Sequence, residues 1–83
     1  HNVTRDISLL VPTGLSYADL INTLGSLKLS TSNIECKSMT KLSETTNNYL
    51  LTLTWAEGTT SVDNEIKQIT THLKETLKIT SKS

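Results

Sequence analysis

Tyr49-Leu50-Leu51-Thr52-Leu53-Thr54-Trp55 is the stretch on which the reading of the fold turns. Tyr49, Leu51, Leu53 and Trp55 fall on one side of an extended chain, and Leu50, Thr52 and Thr54 on the other. A period of two with one strongly apolar side is the pattern of a strand buried on one face. The same period runs through Val3 to Val11, with Ile7, Leu9 and Val11 on one side and Asp6, Ser8 and Leu10 on the other. Pro12-Thr13-Gly14 ends that strand, because proline removes a ladder donor and glycine permits unusual backbone angles.

Between these two strands the period changes. Ser16 followed by Asp19 has the spacing of a capping box, and Leu20, Ile21, Leu24 and Leu27 continue at helical intervals. Gly25 and the stretch from Leu27 to Ser32 weaken the end of this helix. Ile34 to Leu42 reads as a weaker strand. Ile34, Cys36, Ser38, Thr40 and Leu42 are expected on one side of it, and Glu35, Lys37, Met39 and Lys41 on the other. Ser43 to Asn48 reads as a polar hairpin loop. After the loop Glu57-Gly58-Thr59-Thr60, Ser61 is placed to cap a second helix. Val62, Ile66, Ile69, Leu73 and Leu77 give that helix the strongest apolar stripe in the chain. A short final strand over Leu77–Thr80 and a frayed Lys82-Ser83 end complete the reading.

Strand, helix, strand, strand, helix and short strand define an α+β chain. The expected architecture is a ferredoxin-like βαββα(β) sandwich, an antiparallel sheet with both helices on one face. The other face would be open, carrying Asp6, Ser8, Leu10, Thr52 and Thr54.

Eighty-three residues make one domain, here residues 2–83. The 13 Leu, 6 Ile and 3 Val suffice for one thin core. Thr (15) and Ser (10) give the bulk composition of a disordered tail, but the periodic apolar residues argue against disorder. Eight basic residues balance eight acidic ones, so no overall field favours nucleic acid or an anionic membrane. The lone Cys36 has no intrachain disulfide partner, and two histidines without a CxxC are too few for a structural zinc site. No apolar run is long enough to span a bilayer, and no basic-then-apolar leader is visible. A start at His1 is what an excised fragment of a larger chain would show, and Asn2-Val3-Thr4 fits a glycosylation sequon of low specificity.

Chemistry-bearing residues are sparse. Cys36 and His72 are the only natural nucleophile–base pair, with Cys36 expected to be a small buried hydrophobe and His72 partly exposed. Glu44 and Glu57 lie in separate loops, and no phosphate-binding glycine motif occurs. Trp55 and Tyr49 have the parity of core residues rather than of base-stacking platforms. Lys37 and Lys41 share one side of the second strand in this register and form the only compact basic pair.

The run Asn2-Val3-Thr4-Arg5-Asp6-Ile7-Ser8-Leu9-Leu10-Val11 resembles the opening strand of the ferredoxin-fold anticodon-binding domain. That domain ends the phenylalanyl-tRNA synthetase beta subunit and begins with Val-x-Arg-Asp-Ile/Leu-Ala/Ser. Ser16-Tyr17-Ala18-Asp19-Leu20 is similar to its first helix start, and Tyr49–Trp55 to its third strand. Thr60-Ser61-Val62-Asp63-Asn64-Glu65-Ile66 is similar to the start of its last helix. The likeness covers nearly the whole chain.

It implies a non-catalytic tRNA-binding module of a cytoplasmic, ATP- and magnesium-dependent phenylalanine–tRNA ligase. The implied partners are phenylalanine-accepting tRNA, the rest of the beta subunit and the alpha subunit, with no membrane and no cofactor in this domain. Arg5 is the leading RNA contact under that resemblance, gripping phosphate or stacking on a base. The alternative is an Arg5–Asp6 surface that only stabilises the strand edge. Ser8, Lys37, Lys41, Thr52 and Thr54 are the further RNA-binding candidates. Ser38-Met39-Thr40 stands where the family often has Asp-x-Tyr, and Gly58 or Thr59 where it has Arg. The loop before the last helix is also about one residue short. These departures imply a divergent copy with weakened RNA contacts.

A second resemblance rests on Gly14-Leu15 and Asn33-Ile34-Glu35, which are similar to ACT regulatory domains. Those bind an amino acid at a dimer interface near the first turn. Against it, phenylalanine is absent and no acidic residue precedes Gly14.

Overall fold

A computed structural model of the chain describes residues 1–81. The elements are β1 (Val3–Pro12), α1 (Tyr17–Gly25), β2 (Asn33–Lys41), β3 (Thr46–Trp55), α2 (Val62–Leu77) and β4 (Thr80–Ser81). One sheet has the order β2-β3-β1-β4, and every neighbouring pair is antiparallel. The chain is thus α+β, with a four-stranded antiparallel sheet and two helices. Lys82 and Ser83, expected to fray, lie outside the described residues.

Alternation sets the two faces of the central strands. Ile7 pairs with Leu51 and Leu9 with Tyr49, and these side chains join Val11, Leu53 and Trp55 in the core. Leu20 and Leu24 of α1 and Val62, Ile69 and Leu73 of α2 pack into that same cluster. Both helices therefore bury their stripes against one side of the sheet. The opposite side holds Asp6 opposite Thr52, Ser8 opposite Leu50, and Thr4 opposite Thr54.

The capping box forms as the spacing predicts, with Ser16 Oγ accepting from Asp19 N at 3.1 Å and Asp19 Oδ2 accepting from Ser16 N at 3.2 Å. Ser61 does stand at the N-cap of α2, but it makes no side-chain bond to a backbone amide there. Its hydroxyl turns instead to the Glu65 carboxylate.

Three expectations are corrected. Asn47 and Asn48 belong to β3, which begins at Thr46, so the hairpin loop is shorter than Ser43–Asn48. The segment from Leu77 does not open a strand, because Leu77 ends α2 and β4 starts at Thr80. Lys78 terminates the helix in the left-handed region (φ 60°), and the amide of buried Ile79 reaches back to Leu73 O at 3.2 Å.

The third correction concerns β2. The register slips between Cys36 and Ser38, leaving Lys37 as an extra residue. Ile34 and Cys36 stay on the helix side opposite Leu53 and Leu51, but beyond the slip Met39 faces Tyr49 and Lys41 faces Asn47. Ser38 and Thr40 thus move to the open side, against the alternation expected from Ile34. A bulge changes the parity of everything after it.

Candidate functional site

The open face is built from short polar side chains on the two inner strands. Thr52 Oγ1 donates to Asp6 Oδ1 at 2.6 Å, and Asn48 Nδ2 donates to Ser8 Oγ at 2.6 Å and to Leu9 O at 3.1 Å. Among the described residues no hydrogen bond engages the Thr54 hydroxyl, which stands beside Thr4 across the β1–β3 pair. Among the described residues the charges on this side are Asp6, Glu35 and the bulged Lys37, whose Nζ lies 3.5 Å from Glu35. Such a face offers hydroxyl and amide hydrogen bonds, with no excess positive charge to hold phosphates.

Ser8, Thr52 and Thr54 therefore sit together as expected. Arg5 does not share their face. It lies opposite Leu53, on the parity of Ile7, and its guanidinium reaches toward Asp63 at the start of α2. That contact is 3.9 Å long with both side chains exposed, so it holds the guanidinium loosely. Arg5 and Ser8 nevertheless meet in one groove of about 520 Å³ that wraps the edge of β1, with Ile66 and Thr70 of α2 on its wall. A ligand lying on the open face can reach Arg5 around that edge.

Lys37 and Lys41 do not form a basic pair. The bulge separates them, and Lys41 sits on the helix side with its Nζ 3.5 Å from Glu44. Each stands in a solvent-exposed pair with an acidic neighbour, and the change of face after the bulge removes the compact positive patch expected from simple alternation.

Cys36 and His72 lie toward opposite ends of α1. Cys36 is near enough to the helix-opening Tyr17 to help raise its phenol pKa, an effect led by burial. His72 Nε2 is 3.4 Å from Ser26 Oγ, just past the helix C-terminus. Nine helical residues span about 13 Å, too far for a nucleophile and its base. Glu44 and Glu57 are set apart by the ten-residue length of β3. Among the described residues no three His, Cys, Asp or Glu side chains gather as a metal site. At the first turn, Gly14 opens on solvent, and a side chain there would meet nothing within 4 Å.

The most elaborate polar cluster went unread in the sequence. Glu65 is only 6% exposed and lies on the core side of α2. One carboxylate oxygen accepts from Ser30 N at 2.8 Å and Trp55 Nε1 at 3.2 Å, and the other from the hydroxyls of Ser30 and Ser61. Burial pushes its pKa up, but these donors prevail and hold it down at about 2. The legible signal was position: Glu65 is three residues after Val62 and four before Ile69, inside the buried stripe. Both carboxylate oxygens are filled by donors from this chain, so the work of the cluster is structural.

No protein-family model matches the chain, and no curated protein matches it. Among the described residues, no helix is long and apolar enough to cross a membrane.

Proposed function

We propose that the chain is a ferredoxin-like, non-catalytic accessory domain of the anticodon-binding type. Its place is at the end of the beta subunit of a cytoplasmic phenylalanine–tRNA ligase. The reading rests on the resemblance of Asn2–Val11, Ser16–Leu20, Tyr49–Trp55 and Thr60–Ile66 to that family. The strand order β2-β3-β1-β4, with both helices packed on one face, supports it. ATP and magnesium chemistry belongs to other parts of that enzyme.

One observation carries the functional side: an uncovered sheet face of adjacent hydroxyl and amide groups, with an arginine reachable around the strand edge. Ser8, Thr52 and Thr54 suit sugar 2′-hydroxyls and base edges, and Arg5 suits a single phosphate. Asp6 and Glu35 on the same side oppose further phosphate contacts. The domain is accordingly a weak, orienting contact for tRNA rather than an electrostatic clamp.

The test is fluorescence anisotropy of end-labelled phenylalanine tRNA titrated with the 83-residue chain at low salt. Weak saturable binding that Thr54→Val and Arg5→Ala each reduce supports the reading. No binding up to millimolar protein, or binding untouched by both substitutions, overturns it.

A further inference from the structure

The outer edge of β2 is unpaired among the described residues, since the sheet ends there. Beside that edge, on the helix side, stand Ile34, Cys36 and Met39. The helices cover this row incompletely: Met39 is 57% exposed and the neighbouring Tyr17 39%. Natural edges are usually guarded by free charges that repel another strand. Here both β2 lysines are already paired, Lys37 with Glu35 and Lys41 with Glu44. An edge with an apolar flank, interrupted only at the bulged Lys37 and with each lysine beside an acid, is open to another strand that steps over the bulge.

We propose that this edge docks antiparallel against the same edge of a second copy of the chain, with Cys36 facing the partner's Cys36. The occupant is argued from the edge's own complementarity. A two-fold axis through Cys36, with the bulged Lys37 skipped in each strand, places Ile34 opposite the partner's Met39. On the helix side Ile34, Cys36 and Met39 then meet only one another, and Lys41 falls at the end of the junction beside the partner's Ser32. On the other face Glu35 comes opposite the partner's Ser38 and beside the partner's Lys37, so the charges alternate in sign across the junction. Shifting the axis to Ser38 sets Ile34 against the partner's Lys41, and shifting it to Glu35 carries Met39 past the strand to the partner's Ser32. Only the Cys36-centred register matches both faces. It would join two four-stranded sheets into one, and it does not depend on RNA binding.

Facing residues of antiparallel strands have Cα atoms about 4.5–5.5 Å apart, within the span of a disulfide. The register is therefore testable with diamide, which takes two protons and two electrons from a pair of thiols. The reduced 83-residue chain should show a reversible monomer–dimer equilibrium in sedimentation, and diamide should link Cys36 to the partner's Cys36. Met39→Lys, at an exposed position, should weaken dimerisation at least tenfold and slow the cross-link, while leaving unchanged the denaturation midpoint measured at a concentration where the native chain is monomeric. Cys36→Ser should retain the dimer and lose the link. A chain that is monomeric at millimolar concentration overturns the proposal. So does a dimer that Met39→Lys leaves intact, or one in which Cys36 does not cross-link.

Discussion

The indole Nε1 of Trp55 donates to Glu65 Oε1 at 3.2 Å, tying the last residue of β3 to the first turn of α2 within the core. Ser30 brings the loop between α1 and β2 to the same carboxylate. Three separate parts of the chain thus converge on one buried charge, which is stable only because its lone pairs are filled by donors.

Removing that acceptor leaves the Trp55 and Ser30 donors without a partner. Glu65→Ala should cost about 2–4 kcal/mol in urea denaturation, and Glu65→Gln less, because the amide retains one acceptor. A change below about 0.5 kcal/mol in Glu65→Ala would contradict the role given to this cluster.

The same carboxylate sets an acid limit. Its pKa is lowered from 4.5 to about 2 on folding, so the unfolded chain takes up its proton first as pH falls. The stabilisation is complete above 4.5 and is lost progressively as pH drops through 2. Denaturation midpoints measured from pH 6 to pH 2 should fall for the native chain and flatten in Glu65→Gln. Equal slopes in the two would show that other carboxylates carry the acid sensitivity.

Lys78 closes α2 at φ 60°, a conformation that crowds any side chain and that glycine adopts freely. Lys78→Gly should therefore raise stability by about 0.5–1 kcal/mol. A loss of stability on calorimetry would mean that the lysine side chain contributes more than its backbone strain costs.

The helix boundary at Lys78 also illustrates what the sequence conceals. A glycine there would have marked the end of α2, whereas Lys78 gives no such signal, and Leu77 read as the start of a strand. β1 and β3 were legible because each presents one face to the core, so alternation survives intact from Ile7 to Val11 and from Tyr49 to Trp55. On the edge strand β2 little is buried, and the extra residue at Lys37 has no compositional mark. Everything beyond it changed face, which dissolved the Lys37–Lys41 pair. Arg5 was legible by parity, two residues before Ile7, although its family resemblance drew it toward the open face. Glu65 was hidden by its charge, because an apolar stripe is read by skipping acids.

Among the described residues Arg5 lines the groove at the edge of β1, and only a 3.9 Å contact to exposed Asp63 holds its guanidinium. Arg5→Ala should weaken tRNA binding about equally across tRNA sequences and make the salt slope shallower by roughly one unit. An unchanged slope would remove Arg5 from the contact set.

The most direct test of the central claim is an NMR titration of isotope-labelled chain with phenylalanine tRNA at low salt, with free amino acids added to a parallel sample. The account predicts tRNA-induced shifts at Ser8, Thr52 and Thr54, with Arg5 following and Lys41 unmoved. Shifts confined to Gly14 and Leu15 with an amino acid, and none with tRNA, would contradict it and point to a regulatory ligand-binding domain.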